Sequence, residues 1–203
     1  MLGFTFERKF LREGCLRIAG LDEVGRGALF GPVVAAAVVL PRDWLRNRRP
    51  VWSRDINDSK LLSATKKVEL ASALIRRAEA VGIGLASSAE IDEINIHRAS
   101  RLAMLRAVEN LCVRPDILLV DGYALKDVEY RQMGIPQGDR KCPSIAAASI
   151  IAKVFRDGLM DLFDAVYGGY GLARNKGYGT EEHFRCLREK GPTSLHRMTF
   201  SLG

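Results

Sequence analysis

The stretch Leu16-Arg17-Ile18-Ala19-Gly20-Leu21-Asp22-Glu23-Val24-Gly25-Arg26-Gly27 decides the reading of this chain. A short apolar run that ends in a turn reads as a buried strand. Two carboxylates at its mouth, followed by a turn whose backbone can approach a ligand closely, suggest a divalent-metal site facing a phosphate. Successive strand side chains point to opposite faces, so Asp22 and Glu23 share one site only where the strand ends and the chain twists away. Gly25 and Gly27 permit that twist, although the same pair of acids also suits capping of a loop. The string imitates a phosphate-binding P-loop, Gly-x-x-x-x-Gly, but Arg26 and Gly27 stand where that motif needs Lys and Ser or Thr. Two acids inside the loop would also repel a nucleotide phosphate.

Working outward, residues 16–24 form the first expected strand and Val33 to Leu40 the second, entered through Gly31-Pro32 and paired with the first. Residues 41–58 lack periodicity and read as a loop. A helix capped by Ser63 follows, with Leu70, Ala73, Leu74 and Ala78 at helical spacing. Val81 to Ser87 is a third strand, and Ala89 to Leu111 a helix ended by Pro115. Ile117 to Val120 is a buried strand terminating at Asp121-Gly122, as at the carboxyl edge of a parallel sheet. A weak strand lies between Val128 and Ile135. Pro143 to about Val166 is a small-residue helix with Pro in its first turn, suited to close packing on a sheet. Gly168-Gly169-Tyr170-Gly171 breaks it, and a basic loop through Arg174 and Lys176 leads to a last helix from Glu181 to Lys190. Strands that first pair and later alternate with helices predict an α/β fold with a mixed sheet and a helical C-terminal piece.

The chain has 203 residues, 47 % of them hydrophobic, enough for one substantial core. Its 31 basic against 24 acidic residues give a net charge of +7, which suits a polyanionic partner such as nucleic acid. Cys15, Cys112, Cys142 and Cys186 are far apart with no Cys-x-x-Cys pair, so neither a zinc module nor a disulfide framework is indicated and a reducing compartment is expected. No signal-peptide pattern opens the chain, and no apolar run approaches the roughly 20 residues that span a bilayer. A cytoplasmic location follows as the expectation. His97, His183 and His196 fall in or near helical segments and read as structural or surface residues.

The ordered set of motifs resembles a known family. Asp22-Glu23-Val24-Gly25-Arg26-Gly27 with Gly31-Pro32, Asp58-Ser59-Lys60, Val120-Asp121-Gly122, Gly138-Asp139, the run from Ser144 to Val154 with Arg156-Asp157, and Lys176-Gly177-Tyr178 together resemble bacterial ribonuclease HII, the type 2 ribonuclease H. The resemblance implies a ribonuclease H-like mixed sheet flanked by helices, one catalytic domain over 1–203 with about 167–203 as a helical extension. It implies a four-carboxylate site of Asp22, Glu23, Asp121 and Asp139 holding two Mg²⁺ or Mn²⁺ ions when substrate is bound. The substrate it implies is an RNA–DNA hybrid, or duplex DNA containing a ribonucleotide, cut on the 5′ side of the ribonucleotide to leave 3′-hydroxyl and 5′-phosphate ends.

In that family the Gly25-Arg26-Gly27 turn reads the 2′-hydroxyl, a role its chemistry supports because glycine lets backbone groups approach the sugar. Tyr178 matches the tyrosine that packs on the adjoining deoxyribose. Lys60, Lys153, Lys176 and Arg174 suit phosphate contacts, although Lys153 and Arg156 equally suit the exposed face of their helix, paired with Asp157. Two residues depart from the family pattern, Gln137 in place of the usual lysine and Asn175 in place of a frequent histidine, and both bear on local phosphate binding. A non-catalytic nucleic-acid-binding module and a related-fold DNA nuclease or resolvase are the rival readings. A monomer is the default.

Overall fold

The structure, a computed structural model, describes residues 3–46, 50, 56, 63–126 and 128–203. In chain order it contains α1 (Thr5–Arg12), β1 (Ile18–Val24), β2 (Val33–Val39), α2 (Arg42–Leu45), α3 (Ala64–Arg77), β3 (Ala80–Ala86), α4 (Ser88–Ile94), α5 (Ile96–Glu109), β4 (Ile117–Asp121), β5 (Gln132–Ile135), a 3-10 turn at Gly138–Arg140, α6 (Pro143–Val166), α7 (Leu172–Asn175) and α8 (Glu181–Lys190). The five strands form one sheet in the order β3-β2-β1-β4-β5. β2 runs antiparallel to both β1 and β3, whereas β4 runs parallel to β1 and to β5. The mixed sheet expected from the sequence is present.

Both faces of the sheet are covered, which is why its strands read as continuous apolar runs. Val34, Ala36 and Val38 of β2 join Ile117 and Leu119 of β4 in a core under α6 and α3. Val33, Ala35, Ala37 and Val39 join Ala19, Leu21, Leu118 and Val120 under α5. A third apolar cluster, with Leu29, Phe30, Met160, Tyr170, Leu172 and Leu187, fixes α7, α8 and the C-terminal segment to the end of α6.

Four local features differ from the sequence reading, two of them the short helices α2 and α7 in segments read as loops. The single helix expected over 89–111 is divided at Asn95, whose backbone is left-handed with φ 67° and whose side chain accepts from the N–H groups of His97 and Arg98 to cap α5. Helix α1 was not expected; it carries Glu7, which is fully buried. Glu7 Oε1 accepts from the Ser144 backbone N–H at 3.0 Å and the Ser144 hydroxyl at 3.0 Å, with the Cys142 thiol at 3.1 Å. Helix α6 has no side-chain cap of its own at Cys142, so a carboxylate from the far end of the chain satisfies its orphan N–H groups and complements its dipole. Burial pushes the Glu7 carboxyl up despite these donors.

The other determinant of α6 is Gly20. A Cβ at this position would fall inside the contact shell of the Ser144 carbonyl group and the Ile145 nitrogen. That backbone has no room to yield, because the helix is held at its N-terminus by Glu7 and along its length by Ala146, Ala147 and Ala148, all buried. Gly20→Ala is therefore expected to destabilise the fold by about 2–4 kcal/mol, an overpacking effect. Urea denaturation of the variant beside the wild type measures it, and an unchanged midpoint would refute the close approach.

Candidate active site

Asp22 and Asp121 lie side by side toward the carboxyl ends of two parallel strands. The parallel register pairs Leu21 with Val120, so the next residues, Asp22 and Asp121, follow on the same face of adjacent strands. This is the edge where ligands bind in open α/β sheets. Strand β1 does not end at the acids: Asp22, Glu23 and Val24 remain paired to Ala36, Ala35 and Val34 of β2. Asp22 accordingly faces α6, with the Ser149 hydroxyl near enough to oppose the rise of its carboxyl, and Glu23 faces α5. Because β4 stops at Asp121, the sheet is open beside Glu23, and Glu23 and Asp121 line one cavity of about 490 Å³. Arg26, His97, Arg101 and Lys126 line the same cavity, so three permanently basic side chains stand around its acids.

Burial raises the Asp22 carboxyl well above the ordinary aspartate range, and the charges of Glu23 and Asp121 push it the same way. Glu23 is raised by burial as well, with Arg26 opposing and Asp121 adding to the rise. Each acid is meanwhile engaged by the protein. Asp22 Oδ1 accepts from the Glu23 N–H at 2.8 Å, Arg26 Nη1 donates to Glu23 Oε1 at 3.1 Å, and Asp121 Oδ1 accepts from the Gly138 N–H at 2.6 Å. Asp139, in the 3-10 turn, brings its own N–H to 3.4 Å from that same oxygen, which places its residue beside the cluster. Among the described residues, no group of three or more His, Cys, Asp or Glu is drawn together as a metal cage. The donor set nonetheless fits a divalent cation: hard carboxylate oxygens whose mutual repulsion such an ion would relieve.

The turn after β1 is built from beneath. Gly25 has φ 90°, and a Cβ there would overlap the guanidinium of Arg156. The sequence left Arg156 open to an exposed helix face; instead it is fully buried. It donates to the carbonyls of Pro32 at 3.1 Å, Lys176 at 2.7 Å and Phe30 at 3.0 Å. Arg197, also fully buried, donates to Gly31 at 3.0 Å and to Arg26 at 2.9 Å. Nothing in the spacing of either arginine distinguishes it from a surface residue. The Arg26 side chain points away from this scaffold, between Glu23 and His97 Nδ1 at 3.0 Å.

Tyr178 stands over this assembly, half exposed, with the Arg156 guanidinium 5.7 Å from its ring centroid and its edge facing Gly27. Asn175 accepts from the Gly177 N–H at 2.8 Å and donates to the Tyr170 carbonyl at 2.7 Å, so this departure from the family pattern shapes the loop that carries Tyr178. The ammonium of Lys176 is paired with Asp161, that of Lys153 with Asp157 at 2.6 Å, and Arg174 with Glu182. Lys60 lies outside the described residues.

His183 and His196 are buried and joined through their Nε2 atoms at 3.1 Å. The Thr193 N–H donates to His196 Nδ1 at 2.9 Å, so His196 carries its proton on Nε2 and gives it to His183. His183 in turn donates from Nδ1 to the Tyr178 carbonyl at 3.0 Å. Burial holds both imidazoles below their usual pKa, His196 down to about 4, where the neighbouring His183 adds to the effect. The reading of these histidines as structural holds for the pair.

Comparison with known proteins places these features in context. Residues 19–202 match the family model described as Ribonuclease HII. The ribonuclease HII of Lactobacillus delbrueckii subsp. bulgaricus is 49 % identical over 198 residues, covering 98 % of this chain and 74 % of its own. That of Moorella thermoacetica is 48 % identical over 197 residues, covering 97 % and 92 %. Among solved structures, ribonuclease H2 from Pyrococcus horikoshii OT3 superposes with a TM-score of 0.75 at 26 % identity, over 92 % of this chain and 94 % of that one.

The histidine pair generates a pH dependence. An unfolded imidazole takes up its proton near pH 6.5 and the folded His196 only near 4. Between those values the unfolded state binds more protons, so stability falls as the pH is lowered from about 6.5 to about 4. The loss traceable to His196 should be roughly 1–3 kcal/mol. Denaturation midpoints of wild type and His196→Asn across this range should converge as the pH drops, and parallel curves would exclude the effect.

Proposed function

The chain belongs to the ribonuclease HII family, and from that membership, together with the acids at the carboxyl ends of β1 and β4, we propose how it works as an endoribonuclease on RNA–DNA hybrids. The enzyme is a ribonuclease H, a hydrolase. In our reading it also nicks duplex DNA on the 5′ side of an embedded ribonucleotide, leaving 3′-hydroxyl and 5′-phosphate ends. The observation that carries this reading is the placement of Asp22 beside Asp121 next to the Gly25-Arg26-Gly27 turn.

Asp22, Glu23, Asp121 and Asp139 are the proposed holders of divalent cations, Mg²⁺ or Mn²⁺, two of them with substrate present. When bound, such cations supply Lewis acidity, lowering the pKa of water and offsetting charge at the phosphate. Ser149 stands beside the Asp22 carboxylate and favours its charged form. Arg26 holds Glu23 while the acids are otherwise unbalanced and is placed to release it when a stronger cation arrives. The Gly25-Arg26-Gly27 turn meets the ribose 2′-hydroxyl, Tyr178 packs against the neighbouring deoxyribose, and Lys176, with Lys60, meets phosphates. The net positive charge supports docking of the duplex. Four cysteines without disulfide partners and the lack, among the described residues, of a helix long and apolar enough to cross a membrane are compatible with the cytoplasmic, monomeric, single-domain enzyme we propose.

Incubation with Mg²⁺ and a DNA duplex containing one ribonucleotide, beside an all-DNA control, tests the reading. A nick 5′ to the ribonucleotide and an intact control are expected. Asp121→Asn should lower the rate by at least about 100-fold, since it removes a charge from the cluster that balances the transition state. Binding without cleavage would favour the non-catalytic module, and cleavage of both duplexes the resolvase.

A further inference from the structure

We propose that Arg197 is a specificity-determining positioning residue: its buried guanidinium holds the backbone of the Gly25-Arg26-Gly27 turn in the shape that distinguishes a ribose from a deoxyribose. The inference rests on the reading of that turn as the 2′-hydroxyl sensor.

Arg197 Nη1 and Nε grip the carbonyls of Arg26 and Gly31, five residues apart, while its own N–H donates to the Leu29 carbonyl at 2.8 Å. One planar fork thus fixes two peptide planes, at the sensing turn and at the glycine that closes the loop beyond it. Arg197 is pinned from behind by Asp92, which accepts from the Met198 and Thr199 N–H groups at 2.9 Å each.

The setting of this guanidinium is costly. Its fork meets carbonyls rather than a carboxylate, its Nη2 is buried without a hydrogen-bond partner, and the like charge of Arg156 acts on it from nearby, opposed by Asp92 and by the Phe200 ring 5.2 Å away. A buried charge, an unspent donor and a like-charged neighbour are each unfavourable. These costs fall on a side chain whose bonds hold a substrate-facing turn. Lysine at this position would keep the charge and lose the fork, because an ammonium is a point donor without the planar two-pronged geometry.

Arg197→Lys tests the role. With the single-ribonucleotide duplex and Mg²⁺, KM should rise about tenfold, the scale of one lost charge-assisted hydrogen bond, while kcat falls less than threefold. In metal-free buffer, the wild type should bind the ribonucleotide duplex more tightly than its all-DNA counterpart, and the variant should bind the two almost equally. A folded variant that keeps the wild-type preference and KM overturns the inference alone. A wild type without any preference overturns the sensor reading and this inference with it. Should the variant fail to fold, wild-type protein carrying ¹⁵N-arginine decides: the Arg197 Nε–H resonance should shift with the ribonucleotide duplex and by less than half as much with all-DNA, and equal shifts overturn the proposal.

Discussion

The closeness of α6 to β1 is the constraint on which the rest depends. At Gly20 the helix backbone lies against the strand backbone, and the Glu7 carboxylate holds the first turn of the helix there. From that anchor point the helix delivers Ser149 to Asp22 and, seven residues later, Arg156 to the floor of the Gly25 turn. Two turns of one helix thus set the spacing between an acid and a sensing loop. Elements that only touched at their ends would leave that distance free to drift, and positional errors of about 1 Å are costly in catalysis.

Cation and anion are segregated in a way that net charge alone does not convey. Asp22, Glu23 and Asp121 stand at one end of the sheet, Arg156 and Arg197 lie beneath the adjoining turn, Arg26 pairs with Glu23, and Arg101 and Lys126 line the cavity beside the acids. A phosphate approaching the acids meets positive potential on its way in, and its own charge is tolerated at the end only where a cation balances the carboxylates. Several basic side chains expected to meet phosphates are already paired, Lys153 with Asp157, Lys176 with Asp161 and Arg174 with Glu182. Those exposed pairs are weak, so exchanging an internal carboxylate for a phosphate is a small step.

Much of this was legible in the chain. The apolar run into Asp22-Glu23, the run into Asp121 and the Pro-led small-residue helix are local signals, and each became the expected element with shifts of one or two residues. The acid pair was legible as a site but not as a geometry: the strand continues through Val24, and Glu23 reaches the site because β4 stops short, a fact about a neighbouring strand. Glu7, Arg156, Arg197 and the histidine pair were not legible as buried groups. The partners that make their burial tolerable are carbonyls, hydroxyls and rings from segments distant in the chain, and no periodicity records those. One faint signal existed for Glu7: Cys142 is a poor cap, so a helix beginning at Pro143 had to borrow an acceptor from elsewhere.

β1 is the middle strand of five, flanked on each side by two others, whereas β3 and β5 form the rims. Amides on the rims are the first to exchange with solvent as a sheet frays, and those at the centre exchange only when the whole domain opens. Asp22 and Glu23 therefore ride on the most durable segment of the molecule.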